Sequence, residues 1–268
     1  WTTTVYWYVH TTNSNYSDIN GSNTITINKI DPTHNVGGNS LTFNTTAQTL
    51  GTVTTNGWAV TYSATSNGTY SATCPTQTNA WTYTTYYKIA ESTNYKAYAG
   101  SFSTTIAKYN LSNATIASIS AVTYNGSAHT PTPGVTVPIP SGSSTTLTAW
   151  THFTYSYSNN TAAWTATVTI TAKDGTNYQW TKSANFTINK KAIQQNNGNY
   201  AWNYDGNSHT ITLNVTEPSG TTIYYSTSES LTSSNYTTKW STTKPSRTNA
   251  WTTTVYWYVH TTNSNYSD

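Results

Sequence analysis

Residues 1–18, Trp-Thr-Thr-Thr-Val-Tyr-Trp-Tyr-Val-His-Thr-Thr-Asn-Ser-Asn-Tyr-Ser-Asp, recur without a change at 251–268. The 268-residue chain is therefore one 250-residue period and the first 18 residues of the next. Identity over that length means either that the parent contains near-identical 250-residue units in tandem or that the chain follows one unit of a filament into the next. It also predicts a parent longer than this chain, and the lack of Met among its residues carries the same expectation.

Weaker repeats lie inside the period. Segments opening at Trp1, Trp81 and Trp164 close on Ile25-Thr26-Ile27-Asn28-Lys29, Thr104-Thr105-Ile106-Ala107-Lys108 and Phe186-Thr187-Ile188-Asn189-Lys190. Each carries an Asn-Tyr pair between its two strands, at Asn15-Tyr16, Asn94-Tyr95 and Asn177-Tyr178. An earlier half repeats as Tyr124-Asn125-Gly126-Ser127-Ala128-His129 and Tyr204-Asp205-Gly206-Asn207-Ser208-His209, and in degraded form from Phe43-Asn44-Thr45 to Gln48. Asn-Gly and Asp-Gly mark tight turns, since both positions tolerate positive φ. Cutting after the closing Lys gives the tail of one module at 1–29, complete modules at 30–108 and 109–190, and a module at 191–268 that lacks its last strand. The equivalent of 19–29 would complete it.

Alternation sets the fold class. From Trp164, the residues Trp164, Ala166, Val168 and Ile170 share one face and Thr165, Thr167, Thr169 and Thr171 the other, the period-2 signature of a half-buried strand. Trp1, Thr3, Val5, Trp7 and Val9 follow the same parity, as do Trp81, Tyr83, Thr85, Tyr87 and Ile89. The Trp-bearing face is the expected core, with Trp1, Trp7, Trp81, Trp164 and Trp251 in it. Turn clusters recur every 8–12 residues or so, and no window carries a helical apolar period, so the expected class is all-β: tandem Ig-like antiparallel β-sandwiches of about 80 residues, strung like beads. Tyr6, Tyr8 and Tyr86 fall on the outer face. They read as scattered surface residues, as packing against a neighbouring chain, or as a sugar-stacking platform.

Composition narrows the chemistry. Charged residues are 7% of the chain, against roughly 25% in an average soluble domain, and 11 basic residues with a net charge of +3 make no stripe for nucleic acid. Abundant, periodic aromatic and β-branched residues argue against disorder, and no apolar run is long enough for a membrane span. None of the six His sits in a nucleophile elbow or an H-E-x-x-H motif. Eight acidic residues without a cluster give no calcium loop. No catalytic, metal or cofactor site is expected. Lys29, Lys108 and Lys190 stand at module ends, better placed for a linker role or strand-end solvation than for an internal isopeptide cross-link. Cys74 is the sole cysteine, so it is either a free thiol or a candidate for an interchain disulfide.

The order of a Tyr-x-Gly-x-x-His turn, a Tyr-rich strand, an Asn-Tyr corner and a closing Thr-Ile-Asn-Lys strand resembles the mostly-bacterial Ig-like (MBG) repeats of bacterial surface proteins. Residues 124–190 and 204–268 look closest, whereas 30–108 departs, with Phe43 and Gln48 in the Tyr and His places and no turn glycine. The resemblance implies Ig-like sandwiches in tandem on an extracellular or cell-surface bacterial protein, used as a stalk, fibre or adhesin without catalysis. The expected partners are copies of the chain itself. A carbohydrate-binding adhesin module using exposed Trp and Tyr is the alternative.

Overall fold

The computed structural model describes residues 1–196 and 198–268. The chain is all-β, and its one helical element among the described residues is a 3-10 turn at Leu111–Asn113. It divides into two compact units, the first formed by Trp1–Asn110, Pro138–Thr145 and Gly175–Gln179 and the second by Leu111–Val137, Thr146–Asp174 and Trp180–Asp268.

In the first unit a long hairpin opens the chain: β1 (Thr2–Val9) and β2 (Ile19–Thr26) run antiparallel, with Val9 opposite Ile19 and Thr2 opposite Thr26. A four-stranded sheet follows, built from β3 (Leu41–Thr42), β4 (Val60–Ser63), β5 (Thr82–Ile89) and β6 (Tyr98–Ala107) in the order β3-β6-β5-β4. Thr85, Tyr87 and Ile89 of β5 are buried, as the alternation predicts, together with Ile106, Leu50, Val53 and Phe43. A smaller antiparallel pair joins His34–Gly38 to Gly51–Thr55.

The second unit repeats the sheet with β7 (Val122–Thr123), β8 (Phe153–Ser158), β9 (Thr165–Ala172) and β10 (Thr181–Asn189) in the order β7-β10-β9-β8. Ala166, Val168 and Ile170 are completely shielded from solvent, and Phe186 and Ile188 pack with Ala166 against Ile119, Val122 and Tyr124. At roughly 25 cal/mol per Å² of apolar surface removed from water, such inward faces supply most of what holds each sheet. Farther along, β11 (Thr222–Ser226) pairs antiparallel with β12 (Tyr256–His260), with Ile223 opposite Val259.

The outer faces carry hydroxyl ladders, which Thr suits by its strand preference. The Oγ atoms of Thr82 and Thr105 are 2.8 Å apart, as are those of Thr169 and Ser183. The degraded turn keeps the shape of its relatives. Thr46 N–H donates to Asn44 Oδ1 at 3.0 Å, as Ser127 does to Asn125 and Asn207 to Asp205 at 2.9 and 2.8 Å. Gly126 and Gly206 take φ of 83° and 77° there, and Thr45 takes 70° in their place, a conformation unfavourable for a β-branched residue.

The expectation of a tryptophan core is corrected by the structure. Trp81 and Trp164 are 71% and 72% exposed, and Trp1, Trp7 and Trp251 are exposed as well. The parity was right, but Trp1, Trp81 and Trp164 each stand one residue before their strand begins. Their carbonyls accept the final hydrogen bond of the ladder, from Ile27, Ile106 and Ile188, each at 2.9 Å, while the rings overhang the sheet end. Trp251 lies in the stretch before β12, outside any strand. Trp7 does lie on the inner face of β1, across Gly21, with its Nε1 donating to Asn23 Oδ1 at 2.7 Å; that face of the hairpin is open.

Candidate functional site

The recurrent local arrangement in this chain is a joint built where one closing Lys hands over to the next residue. Ile30 N–H donates to Asn94 O at 3.1 Å, Tyr109 N–H to Asn177 O at 2.9 Å, and Lys191 N–H to Asn265 O at 3.0 Å. Each contact starts a short parallel pairing: a bridge at Ile30 and Tyr95, Tyr109–Asn110 with Tyr178–Gln179, and Lys191–Ala192 with Tyr266–Ser267. Parallel pairs need long connections, and here the whole intervening sheet is the connection. The joint thus closes each module onto its own first residue.

The Asn side chain of the corner then reaches to the module before it. Asn177 Oδ1 accepts from Ala80 N–H at 2.8 Å, and its Nδ2 donates to Asn79 Oδ1 at 3.1 Å. Asn265 Oδ1 accepts from Ala163 N–H at 2.7 Å. Ala80 and Ala163 are the residues immediately before Trp81 and Trp164, so the clamp holds the start of the strand whose Trp overhangs. The Tyr of the same corner packs edge-on against an aromatic of the preceding module: Tyr178 against Phe43 with ring centres 5.5 Å apart, and Tyr266 against Tyr124 at 5.6 Å. Such pairs contribute about 0.5–1.5 kcal/mol beyond their buried area. Burial pushes the Tyr178 phenol up. Ion pairs flank two joints, Lys29 with Glu91 and Lys191 with Glu217.

The loop of the duplicated segment has its own carboxylate. Asp268 accepts from Tyr258 Oη at 3.0 Å and from Thr261 N–H at 2.8 Å, and its Oδ2 lies 2.6 Å from His260 Nδ1. Burial works against its ionisation, yet these partners, His260 foremost, hold its carboxyl below the usual range. Burial and then Asp268 push the Tyr258 phenol up to about 12. In the first copy, Asp18 is lowered by Tyr8, His10 and the Thr11 N–H.

The residues singled out in the sequence fall in several places. Tyr6 and Tyr8 are exposed on the outer face of β1, where Tyr8 donates to Asp18. Tyr86 is half-buried in β5, opposite Ser63 and Ser101. Cys74 is buried as a free thiol, and burial pushes its pKa up, a poor setting for thiolate chemistry. Ten of the eleven tryptophans are exposed and Trp257 is half-buried. Trp1 and Trp58 border one open cleft of about 640 Å³ with Lys29 and Glu91. Among the described residues, no group of three or more His, Cys, Asp and Glu is placed to hold a metal ion, and no helix is long and apolar enough to cross a membrane.

The clamping role of Asn177 and Asn265 escaped the sequence reading, although its signal was present. The Asn-Tyr pair recurs in every module, and Asn79-Ala80-Trp81 recurs as Asn249-Ala250-Trp251. Neither a family model nor a curated protein matches this chain.

Proposed function

We propose that this chain is a segment of a structural, non-catalytic extracellular repeat protein of the bacterial surface, in which tandem Ig-like modules form a filament, sheath or stalk. The observation that carries this reading is the repeated joint. Its backbone pairing, Asn clamp and edge-on aromatic pair recur around Tyr109 and Asn177 and around Lys191 and Asn265. One device used at successive repeats suits a chain built by adding copies end to end, as a fibre is. Low charge supports it, since weakly charged surfaces pack beside their own copies without strong repulsion. Electron microscopy of the native material tests it: fibres with an axial repeat of one 250-residue period are expected, and isolated globular particles refute it.

Exposed tryptophans favour a second reading, a carbohydrate-binding adhesin. Stacking of sugar rings on Trp1 and Trp58, beside the Lys29–Glu91 pair, would be its mechanism. A glycan array tests it directly, with binding lost in Trp58→Ala; an array without hits removes the reading.

A further inference from the structure

Trp150 and Trp180 are 64% and 66% exposed, and both stand far from either end of the chain. They share a backbone state that bulky residues avoid. φ is 66° at Trp150 and 71° at Trp180, and among the described residues the other non-glycine positions in the left-handed region are Thr45 and Asn159. For Trp this conformation is unfavourable, and it persists only where surrounding contacts fix it. Those contacts are present. Trp180 O accepts from Ala172 N–H at 3.0 Å; Trp150 O accepts from Lys173 Nζ at 2.8 Å, and Trp150 N–H donates to Phe153 O at 2.7 Å. The consequence is plain at Trp180. By alternation it belongs with Phe186 and Ile188, which are buried, yet it is exposed.

Both tryptophans sit at one end of the second unit's sheet, at the strands on either side of β9. Phe153 of β8 stands opposite Ala172 of β9, and Ala172 in turn holds Trp180 just before β10 begins. Two strand spacings, about 10 Å, therefore separate the two backbones. Lys173 and Asp174, both exposed, follow Ala172 between them. The equivalent place in the first unit is closed. Tyr98 stands opposite Ile89 of β5 as Trp180 stands at Ala172, but its ring lies on His34 with ring centres 4.3 Å apart.

We infer that Trp150 and Trp180 form a binding site for a neutral oligosaccharide of pyranose rings with equatorial hydroxyls, such as a β-1,4-linked chain of glucose or N-acetylglucosamine. Such a ring has apolar C–H faces and a rim of hydroxyls. An exposed indole covers the face, while the rim needs donors and acceptors, which the Lys173 ammonium and the Asp174 carboxylate supply. One positive and one negative group leave no net charge between the two rings, which suits an uncharged sugar better than an acidic one. Platforms about 10 Å apart at the backbone meet two rings of the same short chain, so an oligomer binds more tightly than its single sugar. Each tryptophan backbone is already held, and binding has little ordering left to impose. The site shares no residue with the Trp1–Trp58 cleft and does not depend on the filament reading, since a structural chain and an adhesin can each carry it.

Calorimetric titration of the full 268-residue chain with cellotetraose and, separately, with chitotetraose tests this, and tryptophan fluorescence gives a second readout. At least one tetrasaccharide is expected to bind at one site per chain, shift the emission to the blue, and bind more tightly than its monosaccharide. Trp150→Gly and Trp180→Gly each remove one ring while suiting the left-handed backbone, so both variants fold, which circular dichroism checks. Each is expected to weaken binding about tenfold. Trp164→Ala, at the opposite end of β9, and Trp58→Ala leave the affinity unchanged. No heat from either tetrasaccharide at millimolar concentration, or equal affinity in wild type and both glycine variants, overturns the site. Binding that is lost in Trp58→Ala but kept in both glycine variants belongs to the Trp1–Trp58 cleft and overturns this site while retaining the adhesin reading. Light scattering in which the glycine variants lose self-association, with no sugar signal in wild type, assigns the two rings to a contact between copies and overturns it as well.

Discussion

Replacing Asn177 by Ala removes two hydrogen bonds, the 2.8 Å contact from Ala80 N–H and the 3.1 Å contact to Asn79. Each is worth roughly 0.5–1.5 kcal/mol net, and Ala80 is only half-buried, so water recovers part of the loss. The expected cost is about 1–2 kcal/mol, confined to the joint. A chain of repeated modules need not unfold in one step, so a global melt is the wrong readout. Hydrogen exchange at the Ala80 amide is the right one, because that proton is the one the clamp holds. A loss of about 1–2 kcal/mol speeds its exchange roughly five- to thirty-fold. Asn177→Asp keeps the acceptor and should preserve most of the protection, since the Asn79 amide can turn its donor toward the new carboxylate. Unchanged Ala80 exchange in Asn177→Ala, or equal acceleration in the Asp and Ala variants, would show that the side chain is not the clamp.

Further expectations concern the core, a turn and pH. Ile170→Ala, at a completely shielded site, should cost about 2–5 kcal/mol in urea denaturation, while Trp164→Ala should stay within about 0.5 kcal/mol; a large Trp164 effect would restore the tryptophan core. Thr45→Gly should stabilise its module by about 1 kcal/mol, because glycine takes φ of 70° without the Cβ penalty, and an unchanged thermal midpoint would contradict this. Asp268 and Asp205, the latter held at about 2 chiefly by the Asn207 N–H and then His209, are lowered on folding. Their contribution is therefore complete above the ordinary carboxylate value near 3.8 and is lost as pH falls below it. Tyr258 has the opposite sign: its contribution is complete below pH 10 and is lost as pH rises toward about 12. Tyrosinate absorbance alongside circular dichroism should show 191–268 loosening in that alkaline window, and Tyr258→Phe should abolish the effect.

The sequence made one level of this structure legible and concealed the next. Alternation assigned the inward faces of β5 and β9 correctly, down to Thr85, Val168 and Ile170, because period 2 is a direct consequence of strand geometry. It could not say where a strand stops, and Trp1, Trp81 and Trp164 were misplaced for that reason: a parity rule extrapolates past the last paired residue, where there is no sheet left to cover. Phe43 and Thr45 looked like a broken turn since glycine was missing, yet the Asn44 side chain carries the same turn. The joint was visible only as a repeated Asn-Tyr pair. Its partners lie 97 and 102 residues away, and a contact across such a separation leaves no periodicity to read.

The Thr and Ser ladders on the outer faces have a consequence for the medium this chain tolerates. Cohesion between ions weakens as salt shortens the screening length, to about 8 Å at physiological strength and about 3 Å at molar strength. Hydroxyl pairs such as Thr82–Thr105 and Thr169–Ser183 carry no net charge to screen. These cross-strand contacts within each sheet therefore keep their strength as salt rises, whereas the Lys29–Glu91 and Lys191–Glu217 pairs beside the joints lose theirs.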